Sequence, residues 1–279
     1  MTRILSYPLN DGNRIPAIGF GTYPLRGANG EAAIVSAIEI GYRLVDTAVN
    51  YLNEREVGRA IARSGVPREE LQIATKLPGR DHGYERTLVS FEESRIALGL
   101  EYVDLYLIHW PNPSVGNFGE SWRAMVELRD RGVVRSIGVS NFTEAFLTRI
   151  YDETGVMPAV NQVELHPFFP QVDLRAFHEA HGIRTESWSP LGKNAPVFQQ
   201  RPIVDAAERY GVTPAQVVLR WHVQLGAVPI PKSADPDRQR SNLDVFGFEL
   251  ADDELAAITA LGRTDGRLFG GDPLVHEEM

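Results

Sequence analysis

Four residues in the first half of this chain, Asp46, Tyr51, Lys76 and His109, are of the types needed to protonate an oxygen that is gaining negative charge. A phenol titrates near pH ~10, too high to exchange protons readily at neutral pH. An ammonium beside it favours the phenolate and lowers that value, and an aspartate keeps the ammonium charged and fixed. An imidazole on the other side of the phenol can orient a carbonyl oxygen between the two rings. The set lacks an electron source, because no side chain donates a hydride, so a cofactor must carry that part. Taken singly, each residue has a plainer reading: Asp46 starts a turn and Tyr51 is a half-buried aromatic. The elements that carry the four decide between the readings.

Those elements alternate. Leu5–Leu9 and Arg14–Ala17 flank Asp11-Gly12-Asn13, a hairpin signal. Apolar runs then alternate with helical patterns: Ile18–Thr22 with Glu31–Ile40, Arg43–Asp46 with Asn53–Ser64, Leu71–Lys76 with Tyr84–Leu98, and Tyr102–His109 with Gly119–Arg131. Ser136–Val139 leads to Thr143–Thr154, Ala159–Glu164 to Val172–His181, Arg184–Ser187 to Ile203–Tyr210 and Pro214–Gln224, and Ala227–Ile230 to Pro236–Val245. Eight such units predict an α/β fold, a (β/α)8 barrel with an N-terminal β-hairpin. Ala251–Leu261 adds an extra C-terminal helix, Gly262–Met279 reads as a loose tail, and residues 1–279 are expected to form a single domain. Asp235 and Thr213 each precede a proline, as helix caps do, and Gly41, Gly99 and Gly132 close helical stretches. A doubly wound fold would need a glycine-rich dinucleotide fingerprint. Gly19-Phe20-Gly21-Thr22-Tyr23-Pro24 starts like one but ends in proline, so its glycines are read as letting the first strand turn tightly.

In such a barrel, chemistry sits at the C-terminal ends of the strands. These ends carry Thr22, Asp46, Lys76, His109, Ser140 and Asn141, Gln162 and Glu164, Ser187 to Ser189, and Lys232 with Ser233. One polar residue at one strand end is ordinarily a solvated loop residue. Polar groups at eight successive ends predict an active-site ring.

Composition narrows the partners. The chain has 279 residues, 43% of them hydrophobic, enough for a large core, and a net charge of −9 that disfavours nucleic acid and anionic membranes. It has no cysteine, which removes disulfides and thiolate chemistry. Neither a signal peptide nor a membrane-length apolar run is present, so a soluble cytoplasmic protein is expected. An acidic protein can still hold a basic pocket. Lys232, Ser233 and Arg238 surround a helix start, where backbone N–H groups and the positive dipole end favour phosphate.

The stretches DTAVNYLNEREVG (46–58), LIHWP (107–111), RSIGVSNF (135–142), NQVELHP (161–167), SWSPLG (187–192) and IPKSADPDR (230–238) resemble the aldo-keto reductase family, in its order and spacing, from the hairpin to about Leu261. Short loops and SWSPLG are most similar to bacterial members of the 2,5-diketo-D-gluconate reductase type. The resemblance implies an NADPH/NADP+-dependent barrel that reduces small carbonyl substrates, with Tyr51 as general acid, Asp46 and Lys76 tuning it and His109 directing the carbonyl. It assigns the nicotinamide carboxamide to Ser140, Asn141 and Gln162, ring stacking to Trp188, and the pyrophosphate to Ser189, Leu191 and Gly192. Gly21 and Thr22 border the cofactor, Lys232, Ser233 and Arg238 receive the 2′-phosphate, and Asn242 meets adenine. Tyr23, Asn50, His109 and Trp110 are expected to line the substrate pocket, with Phe118 added and Leu268 and Phe269 closing it.

No metal site is expected. His178 and His181 lack a third ligand and read as solvated, and Ser187 and Ser189 lack a nucleophile elbow. A monomer is expected. The competing functions are a non-catalytic nucleotide-binding regulatory barrel and, among enzymes, a dedicated 2,5-diketo-D-gluconate reductase.

Overall fold

The computed structural model of the chain describes residues 5–193 and 195–278. Ser6–Pro8 (β1) and Arg14–Pro16 (β2) pair as an antiparallel hairpin. Phe20–Gly21 (β3), Leu44–Asp46 (β4), Gln72–Leu77 (β5), Val103–Ile108 (β6), Val134–Ser140 (β7), Val160–Glu164 (β8), Arg184–Trp188 (β9) and Val228–Pro229 (β10) form one parallel sheet in chain order. Between them run the helices Gly27–Ile40 (α1), Glu54–Arg63 (α2), Tyr84–Leu98 (α3), Phe118–Asp130 (α4), Glu144–Thr154 (α5), Val172–Ala180 (α6), Arg201–Tyr210 (α7) and Pro214–Gln224 (α8), followed by Pro236–Leu243 (α9) and Asp252–Thr259 (α10). This is the (β/α)8 barrel with its hairpin.

The two edge strands of the sheet meet, since Gly19 N–H donates to Pro229 O (3.0 Å) and Gly21 N–H to Pro231 O (3.1 Å). This seam corrects the reading of those glycines. A Cβ on Gly19 would lie 2.6 Å from Ile230 Cδ1, and one on Gly21 would lie 3.0 Å from Ile230 Cγ2. They are glycine because the first and last strands pack too closely for a side chain, not because the chain turns there. A second correction concerns α1, expected from Glu31 but starting at Gly27. Leu25 carbonyl carbon lies 2.6 Å from where a Gly30 Cβ would be, so a residue that reads as loop is one that lets the helix start against the incoming chain.

Period-two alternation aims the site. Leu44, Ala74, Leu105, Leu107, Val160, Val228 and Ile230 share one apolar cluster with Leu9 and Ile15 of the hairpin. The hairpin therefore plugs one end of the barrel interior. Two residues beyond Leu44, Ala74, Leu107 and Val160, on the same face, come Asp46, Lys76, His109 and Gln162. The alternate residues Val45, Ile73, Tyr106, Ile108, Ile137 and Val139 belong to the outer core beneath the helices. The caps form as expected: Thr213 accepts from Gln216 N–H within a capping box, and Asp235 accepts from Asp237 and Arg238 N–H.

Two expectations fail. The tail is not loose. Arg263 N–H donates to Phe168 O (2.9 Å), Leu268 N–H to Glu164 Oε1 (2.6 Å) and Ser114 N–H to Glu277 Oε1 (2.8 Å). Its partners lie roughly a hundred or more positions earlier, so no local pattern in the tail announces them. His178 is not solvated: it is fully buried, 2.9 Å from Asn161 Nδ2 and 2.8 Å from Thr185 Oγ1, and burial pushes its pKa down to about 3. It is a neutral core residue, whereas His181 is exposed. Among the described residues no group of acids and histidines could hold a metal ion, and no helix is long and apolar enough to cross a membrane.

Candidate active site

At the C-terminal mouth of the barrel opens a cleft of about 1050 Å3. Asp46, at the end of β4, and Lys76, on β5, are brought together by parallel neighbouring strands. Lys76 Nζ donates to both Asp46 oxygens (2.7 Å each), to Thr47 O (2.9 Å) and to Tyr51 Oη (3.3 Å). The lysine is fully buried. Burial works against its charge, yet the adjacent Asp46 carboxylate holds its pKa above the ordinary value. Tyr51 sits in the 3₁₀ turn Val49–Tyr51 that precedes α2, with its ring centroid 5.6 Å from that of His109 and 5.2 Å from that of Tyr23.

The expected lowering of the phenol pKa is not what this environment produces. Burial, then the Asp46 and Glu278 carboxylates, push Tyr51 up to about 12, against the opposing pull of Lys76. The lysine is so closely paired with Asp46 that the phenol faces an ion pair rather than a bare cation. Tyr51 is consequently fully protonated at neutral pH, as a proton donor must be.

Along the cleft, Ser140 Oγ donates to Gln162 O (2.8 Å), and Asn141 Nδ2 donates to His109 O and Ser140 Oγ (3.0 Å each). Asn141 holds a left-handed φ of 62°, and its Oδ1 accepts from Trp188 Nε1 (2.8 Å). These bonds fix the indole against the floor of the cleft. Gly21, Thr22, Ser189, Leu191, Lys232 and Arg238 line it as well, as do Tyr23, Asn50 and Trp110 on the catalytic side. Gly192, Ser233 and Asn242 lie outside that lining. Gly192 has φ 70° and would meet Val197 Cγ2 at 2.5 Å if it carried a Cβ, so it shapes the turn behind Leu191. Ser233 is buried and its Oγ bonds the backbone of Asp235, while Asn242 is buried on α9.

The phosphate argument needs adjusting at α9. The helix-start amides of Asp237 and Arg238 are already taken by the Asp235 carboxylate, whose Oδ2 also lies 3.4 Å from Arg238 Nε. The backbone therefore offers less to an anion than the sequence implied, and the side chains more. Phe118 is a correction too. It begins α4 and packs on Phe142 and Phe146 (5.2 and 5.3 Å between centroids), almost fully buried in the outer core and away from the cleft. Of the tail pair, Phe269 lines the cleft, its ring stacked 6.1 Å from Trp188, whereas Leu268 does not line it.

Three residues escaped the sequence reading. Lys193 lines the cleft with its Nζ 4.2 Å from the Phe269 ring. Burial, then the like charge of Lys232, lower its pKa. With Arg238, these lysines form a cationic end that an anion would relieve. Glu278 lines the catalytic end. Glu186 is fully buried on β9, where its register with Val228 places it in the barrel interior. Gln162 Nε2 donates both to Asp46 Oδ2 (2.9 Å) and to Glu186 Oε2 (2.6 Å). The only sequence signal was a carboxylate within a strand expected to be buried.

Burial, then the Asp46 charge, push Glu186 up to about 8, so it is protonated at neutral pH. A carboxyl whose folded pKa exceeds its unfolded value stabilises fully below the unfolded pKa and loses that contribution as pH rises through the folded one. The loss here spans the range from the ordinary carboxylate value to about 8. Glu186→Gln, which cannot ionise, is accordingly expected to gain melting temperature over the wild type progressively from pH 5 to pH 8 and to hold that gain at pH 9. Thermal melts at these pH values check it, and a gain independent of pH would contradict a neutral Glu186.

The family model for the Aldo/keto reductase family matches residues 17–263. Over the full length of both proteins, the chain is 60% identical to 2,5-diketo-D-gluconic acid reductase B of Corynebacterium sp. (strain SHS752001) across 279 residues. It is 46% identical to methylglyoxal reductase DkgA of Escherichia coli (strain K12) over 266 residues, 95% of each chain. A crystal structure of a Gox0644 variant in complex with NADPH superposes with a TM-score of 0.93 at 46% identity, covering 98% of this chain and 99% of that one. On its barrel, its strand-end residues and these matches, the chain belongs to the aldo/keto reductase family.

Proposed function

We propose that this protein reduces the carbonyl group of small aldehydes, dicarbonyls or keto-sugars to an alcohol with NADPH, Tyr51 supplying the proton. The observation that carries the reading is the contact chain from Asp46 through Lys76 to the hydroxyl of Tyr51, in a cleft whose other end holds Lys193, Lys232 and Arg238. The donor set suits NADPH. Gln162 spends its N–H groups on Asp46 and Glu186, which leaves its carbonyl oxygen for an amide N–H such as that of a nicotinamide carboxamide. Trp188, held by Asn141, offers a flat aromatic face, and Lys232 and Arg238 offer charge to a 2′-phosphate. When bound, NADPH supplies a hydride to the carbonyl carbon.

The protein's own part is proton delivery and orientation. Tyr51 O–H gives its proton to the oxygen as that atom becomes negative. Lys76 stays charged and stabilises the resulting phenolate, and Asp46 fixes Lys76 so that no reorganisation is needed at that moment. His109, on the facing side, holds the carbonyl oxygen near Tyr51. Tyr23, Asn50 and Trp110 shape the space around the substrate.

The 60% identity to 2,5-diketo-D-gluconic acid reductase B favours a second, narrower reading, a dedicated keto-sugar reductase. Initial rates with NADPH against methylglyoxal, aromatic aldehydes and 2,5-diketo-D-gluconate decide between them. Turnover of all three classes supports the broad reading and turnover of the keto-sugar alone the narrow one. A protein that binds NADPH but reduces none of them would be a nucleotide-binding barrel without this activity.

A further inference from the structure

The last described residue of the chain ends inside the site. Glu278 Oε2 lies 3.0 Å from His109 Nδ1, at the catalytic end of the cleft. The tail reaches that point through a built dock. Asn112 bonds both backbone groups of Glu278, its Nδ2 donating to Glu278 O and its Oδ1 accepting from Glu278 N–H. Gly79 leaves room for that backbone, since a Cβ there would fall 2.0 Å from Glu278 O. One residue back, Ser114 N–H donates to Glu277, and His276 packs its ring 4.1 Å from that of Trp110. All these anchors are independent of the Glu278 carboxylate, which is left to face the site.

The carboxylate stays ionised there. Burial would raise its pKa, but the close approach and charge of His109, the Asn50 side chain and the charge of Lys76 hold it below the ordinary carboxylate value. The nearby Lys76 is already matched by Asp46. Asp81 pairs with Arg86, and His82, pushed down to about 4 mainly by burial, is neutral at working pH. Glu277 adds a further carboxylate on the tail. The catalytic end is thus bordered by a fixed negative charge beside the ring that directs the carbonyl.

We propose that Glu278 is a specificity-determining residue that selects by charge, disfavouring carbonyl compounds whose carboxylate is attached directly to the carbonyl carbon. This rests on the reading that His109 faces the reacting carbonyl. In a 2-oxo acid the carboxylate accompanies the carbonyl to His109 and meets Glu278 at close range, where like charges in a partly desolvated site repel strongly. Neutral aldehydes, and sugar acids whose carboxylate lies several carbons away from the reacting carbonyl, escape that penalty.

Matched pairs test it: glyoxal against glyoxylate, and phenylglyoxal against phenylglyoxylate, with kcat/KM measured for wild type, Glu278→Gln and Glu278→Lys. The anionic-to-neutral ratio of kcat/KM is expected to rise about tenfold in Glu278→Gln and further in Glu278→Lys. In the wild type, raising ionic strength from ~0.05 to ~0.5 M is expected to raise the same ratio by screening the repulsion, with a smaller response in Glu278→Gln. A ratio unchanged by both substitutions would overturn the proposal, as would an equal gain on both members of each pair, which would mark the carboxylate as a plug rather than a selector. Failure of the wild type to reduce the neutral members would instead remove the underlying carbonyl-reductase reading.

Discussion

Tyr51→Phe is expected to lower kcat/KM for carbonyl reduction by roughly 10²–10⁴-fold, the range of a lost general acid. Affinity for NADPH is expected to be unchanged, and so is the fold. The reason lies in what the hydroxyl leaves behind. Lys76 keeps both Asp46 oxygens at 2.7 Å and Thr47 O at 2.9 Å, so three acceptors remain for its three N–H donors and no buried charge is orphaned. Removing Lys76 instead would leave Asp46 buried beside Glu186 without its cation, and breaking such a pair costs about 3–5 kcal/mol. A Lys76 variant would therefore confuse lost catalysis with lost stability, whereas Tyr51→Phe separates them. Steady-state kinetics, cofactor fluorescence titration and a thermal melt on the same preparation give the three readings. Near-normal turnover would mean that another group donates the proton.

The second large effect is expected in cofactor choice. NADPH and NADH differ by one phosphate on the adenosine ribose, so discrimination must come from groups that meet that phosphate. Lys193, Lys232 and Arg238 are exposed cations lining that end of the cleft, and Lys232 and Arg238 flank the start of α9. A charge-assisted hydrogen bond contributes about 1.5–3 kcal/mol, and each ~1.4 kcal/mol is a factor of ten in affinity. Lys232→Ala is expected to weaken NADPH about 10- to 100-fold. Arg238→Ala is expected to weaken it less, because Arg238 already lies 3.4 Å from the Asp235 carboxylate, which competes with a phosphate for it. The double variant should lose most of its preference for NADPH, with NADH affinity nearly constant. Titrating both cofactors against all three variants checks the order, and equal weakening of NADPH and NADH would locate the phosphate elsewhere.

The contrast between local and distant causes explains which features were legible in the chain. Strand and helix patterns depend on neighbours within a few residues, so the eight repeated units and the polar strand ends could be read directly. Alternation of side chains along a strand then places Asp46, Lys76, His109 and Gln162 on the face that also carries Leu44, Ala74, Leu107 and Val160. Caps such as Thr213 and Asp235 are equally local, and both form. The seam glycines were visible as residues, but their reason was not, because Ile230, which excludes their side chains, lies two hundred positions further on.

What only the tertiary structure decided was the environment of each group. Gln162 joins Asp46 across a separation of 116 residues, and Asn112 holds the backbone of Glu278 across 166. No window of sequence contains such pairs. Phe118 looked available to the substrate until Phe142 and Phe146 enclosed it, and His178 looked solvated until Asn161 and Thr185 took its two nitrogens. Tyr51 itself is the clearest case. Its candidacy as the acid can be read from residue types and spacing, but the direction of its pKa follows from burial and from carboxylates at positions 46 and 278. Sequence names the groups that can react, because side-chain chemistry is intrinsic. Solvent exclusion and the sum of surrounding charges set their working state, and both exist only once the chain has closed on itself.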